Sequence, residues 1–240
     1  LYFLGANDNM VTQSYLWGFK NGAKLDVGSD STAISRSTIT GNDTGYTAAL
    51  YIIGSASNNV TDSYIGNPEG MGVWLSNGAN YNRISLSTMV SNGSDFDGVF
   101  MNHASSNMIT DSYSLAPNGS SVLLESSHYN MINRSKLESN TNSIANYYLY
   151  YSSYNATAGS YILNQGDCVG INRGTNNTIS LSTMTSSLSS AYALSLYRST
   201  SNTVLDSYIA GANPVYIRGS DYTAIGNSVV VASITAGHAL

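Results

Sequence analysis

Charge is scarce in this sequence: nine Lys and Arg and fourteen Asp and Glu are spread over 240 residues, about a tenth of the chain. Ordinary globular domains carry about a quarter. The few cations form no cluster and the net charge is −5, which argues against nucleic acid, whose binding needs concentrated positive charge to release counterions. One cysteine, Cys168, excludes an internal disulfide framework and a cysteine-based zinc site. The longest apolar stretch, Thr47 to Ile53, is too short for a membrane-spanning helix, so no membrane insertion is expected. Three prolines and no stretch of helical period leave helical repeats without support. Yet 42% of the chain is hydrophobic and 19 residues are tyrosine, so the scarcity of charge does not signal disorder.

What fills the gap is repetition. The pattern Asn, any residue, aliphatic, two residues, Ser, any residue, aliphatic recurs ten times, at spacings of 21 to 26 residues. The first aliphatic position is held by Val11, Ile34, Val60, Ile84, Ile109, Ile132, Thr157, Ile179, Val204 and Ile225, with Thr157 the one polar member. A serine stands three residues after each, from Ser14 to Ser228, without exception. Two residues before, asparagine occupies eight of ten places: Asn9, Asn58, Asn82, Asn107, Asn130, Asn155, Asn177 and Asn202. A second apolar alternation lies upstream of the motif, as in Leu50 and Ile52 or Val99 and Met101. Alternation over three or four residues predicts short strands with one buried face.

A unit of about 24 residues with three short strands cannot bury its apolar face alone. Stacking coil on coil buries a continuous core with parallel strands about 4.8 Å apart, so ten coils predict a rod roughly 45–50 Å long. At a repeated bend each Asn amide can donate to the carbonyl of the next, which predicts an Asn ladder. Serines beside a bend can act likewise.

The stretch SASNNVTDSYIGNPEGMGVWLSNGANYNRISLSTM, Ser55 to Met89, resembles the parallel β-helix repeats of the pectate-lyase-like superfamily, and the resemblance runs from about Leu1 to Val230. It implies an all-β, right-handed single-stranded parallel β-helix (solenoid) of about ten coils, three strands per coil, forming one domain over residues 1–240. It implies little about activity, because the same scaffold carries lyases, hydrolases, epimerases, tailspikes, adhesins and inert stalks. It also implies an extracellular or cell-surface location.

A two-coil module of 47 to 49 residues underlies the repeat. The residue after the serine is Tyr15, Tyr64, Tyr113, Tyr161 and Tyr208 on alternate coils, with Thr38, Thr88, Lys136, Thr183 and Val229 between. Upstream, Tyr2, Tyr51, Phe100 and Tyr148 follow the same alternation. At the bend, Arg36 precedes Asp62 and Asp111 precedes Arg134, which predicts neighbouring ion pairs.

The β-helical lyases use an Asp cluster for calcium with a Lys or Arg base. Asp62, Asp111 and Asp206 share a row here, but about 10 Å or more apart by the strand spacing, too far to hold one ion. The hydrolases of this fold need paired carboxylates, and no such motif is evident. His103 and His128 read as turn residues without a third ligand. The loop Ser91 to Gly98 contains Asp95 and Asp97 but lacks the downstream Glu of a calcium loop, and its Asn-Gly and Asp-Gly steps are ordinary turn formers. No catalytic residue, metal or cofactor is assigned. The binding candidates are Tyr15, Tyr64, Tyr113, Tyr161 and Tyr208, whose amphipathic rings suit sugars.

Loops that look short and even point to repetition as the function: a non-enzymatic structural or adhesive segment of a surface, extracellular or filamentous assembly. Two alternatives stand beside it. One is a carbohydrate-active β-helix, lyase or hydrolase, and the other a glycan-binding module using the Tyr stripe. The strand-like Leu1–Leu4 and the short apolar tail after Val231 read as uncapped ends, which predicts end-to-end self-association; polysaccharide is the other expected partner.

Overall fold

The computed structural model describes residues 1–142 and 144–232; the tail read above as a missing cap lies outside them. The chain is all-β: thirty short strands form three ten-stranded parallel sheets, each coil giving one strand to each sheet. The third coil is typical, with Ala48–Ile53 in the first sheet, Asn59–Thr61 in the second and Tyr64–Asn67 in the third. This is the right-handed parallel β-helix expected.

The inward rows are those the repeat marks. Ile84, Ile109 and Ile132 stack in register in the second sheet, and Ile39, Ile65 and Met89 in the third. All six are almost fully buried; burial of each such side chain contributes roughly 1.5–3 kcal/mol.

One left-handed residue makes each bend between the second and third sheets. Gln13, Arg36, Asp62, Leu86, Asp111, Arg134, Leu181, Asp206 and Asn227 all have φ between 44° and 51°, a conformation that costs a side-chain-bearing residue about 1–2 kcal/mol. The serine that follows offsets this. Ser87 Oγ donates to Ser85 O at 2.7 Å, and the Ser87 N–H donates to Ser112 Oγ on the next coil at 3.2 Å. That link recurs from Ser14 to Ser228. Only a small side chain that both donates and accepts can propagate it.

The asparagines form a second column. Asn58, Asn82, Asn107, Asn130, Asn155, Asn177 and Asn202 are joined Nδ2 to Oδ1 at 3.0–3.2 Å. Each Oδ1 also accepts the backbone N–H of the residue before it in the column, as Asn107 Oδ1 does from Asn82 at 2.8 Å. Asn9 stands apart, donating to Ala6 O, because Thr32 on the next coil offers no amide. Of the expected ion pairs, Arg134 grips Asp111 with Nε at 2.7 Å and Nη2 at 2.8 Å. Arg36 does not reach Asp62; it turns to Thr12 on the preceding coil instead.

The loops are not even, contrary to the sequence reading. Between second and third sheets the inward residues are always five apart. From third sheet to first, the separations alternate. Ile39–Ile52, Met89–Met101, Leu137–Leu149 and Met184–Leu196 span 12 or 13 residues; Leu16–Leu25, Ile65–Leu75, Ser114–Leu124, Ile162–Ile171 and Ile209–Ile217 span 8 to 10. The two-coil module therefore resides in this third turn. Its long loops stand about 9.6 Å apart, twice the strand spacing, along one edge of the first sheet.

Candidate functional site

The outer face of the first sheet, walled by these long loops, is where the unusual side chains gather. Its outward row reads Tyr2, Lys24, Tyr51, Trp74, Phe100, Leu123, Tyr148, Gly170, Ser195, Tyr216. The alternation expected for aromatics on this row fails at Trp74, which fills the rung between Tyr51 and Phe100. Its ring stacks on both, at 4.6 Å and 5.9 Å between centroids.

Two of the clefts between the long loops lie over this face. The first, about 380 Å³, is lined by Tyr46, Met71, Phe96, Phe100, Leu123 and Ile144, with Asp95 and Asp97 in its wall. Tyr46 and Phe96 meet edge to face at 5.8 Å, so two successive long loops close its rim. Asp97 is 7% exposed, and burial pushes its carboxyl up to about 7 although Ser120 N–H donates to Oδ1 at 2.9 Å. Asp95, two residues earlier, is exposed to water. A carboxyl whose pKa burial lifts toward neutrality, on the same loop as a solvated one, is a setting in which general acid–base chemistry is set up.

Sequence reasoning missed Asp97. It took Ser91 to Gly98 for turn formers, and the available signal was the aromatic between the two carboxylates, Asp95-Phe96-Asp97, with Phe100 just beyond. No group of three His, Cys, Asp or Glu able to hold a metal occurs among the described residues.

The second cleft, about 650 Å³, lies three coils further along, over Gly170 and Ser195. Asp167 occupies the same row of the third turn as Asp97. Three rungs separate them, about 14 Å by the strand spacing, beyond the roughly 5–9.5 Å at which two carboxyls share one glycosidic bond. Burial raises the Asp167 pKa as well, and its Oδ1 accepts from Tyr192 N–H at 2.8 Å.

The tyrosine row Tyr15, Tyr64, Tyr113, Tyr161 and Tyr208 sits elsewhere, on the outer face of the third sheet. Tyr113 is tied down by its hydroxyl, which donates to Glu138 at 2.8 Å. The Tyr64 ring folds back over Gly66, so close that a side chain at Gly66 would strike it. His103 and His128 lie at the first turn, away from both clefts; His103 Nδ1 contacts Asn102 Oδ1 at 2.8 Å, and His128 Nδ1 accepts from Ser153 N–H at 3.1 Å. Cys168 is buried and its thiol pushed up to about 12 by that burial, which removes it as a nucleophile.

No protein-family model matches the sequence, and no curated protein is similar to it. Solved structures are. DFA-IIIase from Arthrobacter chlorophenolicus A6, in complex with DFA-III, superposes with a TM-score of 0.63 at 14% identity, over 78% of this chain and 46% of that one. The chain thus spans less than half the length of that enzyme. The periplasmic alginate epimerase AlgG matches at 0.56 and 11% identity, over 93% of this chain and 68% of that one. The Dettilon tailspike protein matches at 0.54 and 12%, over 90% and 60%. These matches overturn the expectation of a non-enzymatic chain: carbohydrate-active enzymes are among the structures it is similar to. At such identities the likeness shows the fold, and that fold is a right-handed parallel β-helix of the kind carbohydrate-active enzymes carry.

Proposed function

We propose that the chain is the β-helical body of a carbohydrate-active enzyme, a glycoside hydrolase or polysaccharide lyase, working outside the cytoplasm on the outer face of its first sheet. The observation that carries this reading is Asp97: a buried carboxyl whose pKa burial pushes up to about 7, in an aromatic-walled cleft, with the exposed Asp95 on the same loop. Cleavage of a glycosidic bond needs a proton for the departing oxygen and a second group to assist at the sugar carbon or its neighbour. Asp97 suits the first role and Asp95 the second. The aromatic run Tyr51–Trp74–Phe100 leads into the cleft and offers a stacking surface for the substrate on its way there. Extracellular or surface location is proposed with it, and the periplasmic alginate epimerase among the similar structures supports that.

The test is incubation of the purified chain with neutral and acidic polysaccharides, following reducing ends and unsaturated products. Activity should fall as pH rises through about 7, and Asp97→Asn should lower kcat by roughly 10²–10⁴. Release that survives Asp97→Asn unchanged, or no release from any substrate, would sink the proposal.

The tyrosine row of the third sheet is proposed as a secondary polysaccharide contact. Tyr15 and Tyr161 support it, being 70% and 59% exposed. Changing Tyr15 and Tyr161 together to Ala should weaken retention on insoluble polysaccharide without touching turnover; unchanged retention removes the row from consideration.

A further inference from the structure

The second cleft is built around a missing side chain. In the outward row of the first sheet, Gly170 lies between Tyr148 and Ser195, where the preceding rungs carry Phe100 and Leu123. Its backbone does not call for glycine, since it is absent from the positive-φ positions. Space does. A Cβ on Gly170 would lie 2.9 Å from Tyr148 Cδ2 and 3.0 Å from Ala145 Cβ, inside van der Waals contact. Glycine here lets the Tyr148 ring lie across the rung, and the Asn172 amide, donating to the Tyr148 hydroxyl at 2.9 Å, holds it there.

The opposite wall is also aromatic. Tyr192 and Tyr216 stack with centroids 4.7 Å apart and planes 27° from parallel. Between the walls the floor is the Gly170 backbone and the Ser195 side chain. Charged groups of opposite sign stand at the two rims and make no ion pair with each other. Asp167 comes from the third turn, its Oδ1 held by Tyr192 N–H and its Oδ2 without a partner among the described residues. Arg218 comes from the far end of the last first-sheet strand and lies over the Tyr197 ring at 5.9 Å.

We propose that this cleft is a binding subsite for one ring of a neutral saccharide, separate from the Asp97 cleft; it rests on the carbohydrate-active function proposed above. Facing aromatic walls present π surfaces to the C–H faces of a sugar ring. The Asp167 carboxylate accepts from ring hydroxyls in charge-assisted hydrogen bonds, and Arg218 donates from the other rim. A uronate or phosphorylated sugar would set its negative charge against the Asp167 rim as well as toward Arg218, whereas a neutral ring uses both rims without that repulsion. The volume, about 650 Å³, lies within the usual range for small-ligand sites.

Calorimetric titration of the full chain with fructo-, gluco- and galacto-oligosaccharides, and with oligogalacturonate as the acidic series, tests this. One neutral series should bind, and Tyr216→Ala and Asp167→Asn should each weaken it by about tenfold or more. Circular dichroism melting of each variant shows that the fold persists, and Tyr192→Phe, which keeps the stack, should retain affinity. The proposal is overturned if no neutral series binds, if the acidic series binds more tightly, or if Tyr216→Ala and Asp167→Asn leave affinity unchanged. Its failure is distinct from failure of the enzymatic reading. Turnover lost in Asp97→Asn with KM unmoved by the cleft variants removes the subsite and leaves the enzyme. Cleft-dependent binding without turnover of any polysaccharide does the reverse.

Discussion

The Asp97 carboxyl and the Ser120 backbone are joined across neighbouring coils, N–H to Oδ1 at 2.9 Å, in the wall of a cleft lined mainly by aromatic and aliphatic groups. The backbone and side chain of Ser120 do not make up for lost water, so burial shifts the carboxyl toward its protonated form in the fold. The folded pKa of about 7 lies above the unfolded value of about 3.9. Stability from this group is therefore fully present below about pH 4 and is lost as pH rises toward 7, by roughly 3–5 kcal/mol. Denaturant titrations at pH 4.5 and pH 8 should show the loss, and Asp97→Asn should flatten the difference. Parallel profiles for variant and parent would mean that the carboxyl is well solvated.

The asparagine column makes a sharper stability prediction than its composition does. The Asn107 side chain takes part in four bonds: it donates to Ala79 O and Asn130 Oδ1, and accepts from the backbone and amide of Asn82. Asn107→Ala should cost about 1–3 kcal/mol, since it strands buried donors on two coils. Asn42→Ala, at an exposed side chain, should cost almost nothing. Equal effects in urea denaturation would show that the column adds no stability.

Two polar residues in the inward rows show how far the sequence could be read. The rows themselves were legible, because stacking enforces the same side-chain class at every rung. Ser114 and Thr157 break them, and the pattern alone gives no reason. The structure supplies one for Ser114: it faces Gly98, leaves no room for a larger residue, and donates to Ser121 O at 2.7 Å. Gly98→Ala, whose methyl would press on Ser114 Oγ and lie 2.8 Å from Ser121 O, should destabilise by about 1–3 kcal/mol. A neutral melt would show that this wall yields.

Thr157 lies beside Tyr147, the one tyrosine wholly inside the core, whose phenol is pushed up to about 12 by burial and drawn back by Thr157. Thr157 Oγ1 is buried and has no hydrogen-bond partner. Thr157→Val should accordingly be neutral or stabilise by up to about 1 kcal/mol. A loss above that, read from the urea midpoint, would place a real bond between the two.

The candidate site was far less legible than the scaffold. Asp97, Tyr46 and Gly170 belong to no repeated class, and their meaning lies in which coil stacks on which. A turn-forming Asp and a buried acid look alike in one dimension. The loops seemed even because whole-repeat spacings blur a variation that lies mainly in one of three turns.

That concentration in the third turn has an engineering consequence. The step of five residues between second and third sheets is fixed by one left-handed bend and the serine that follows, so a single inserted residue there, as between Asp111 and Ser112, shifts every later rung. The third turn already absorbs steps of 8 to 13 residues with the register intact on either side. The rod therefore behaves as a chassis with one editable edge. Residues can be added beside the clefts, altering what they admit, while the ladders that hold the coils together are left as they were.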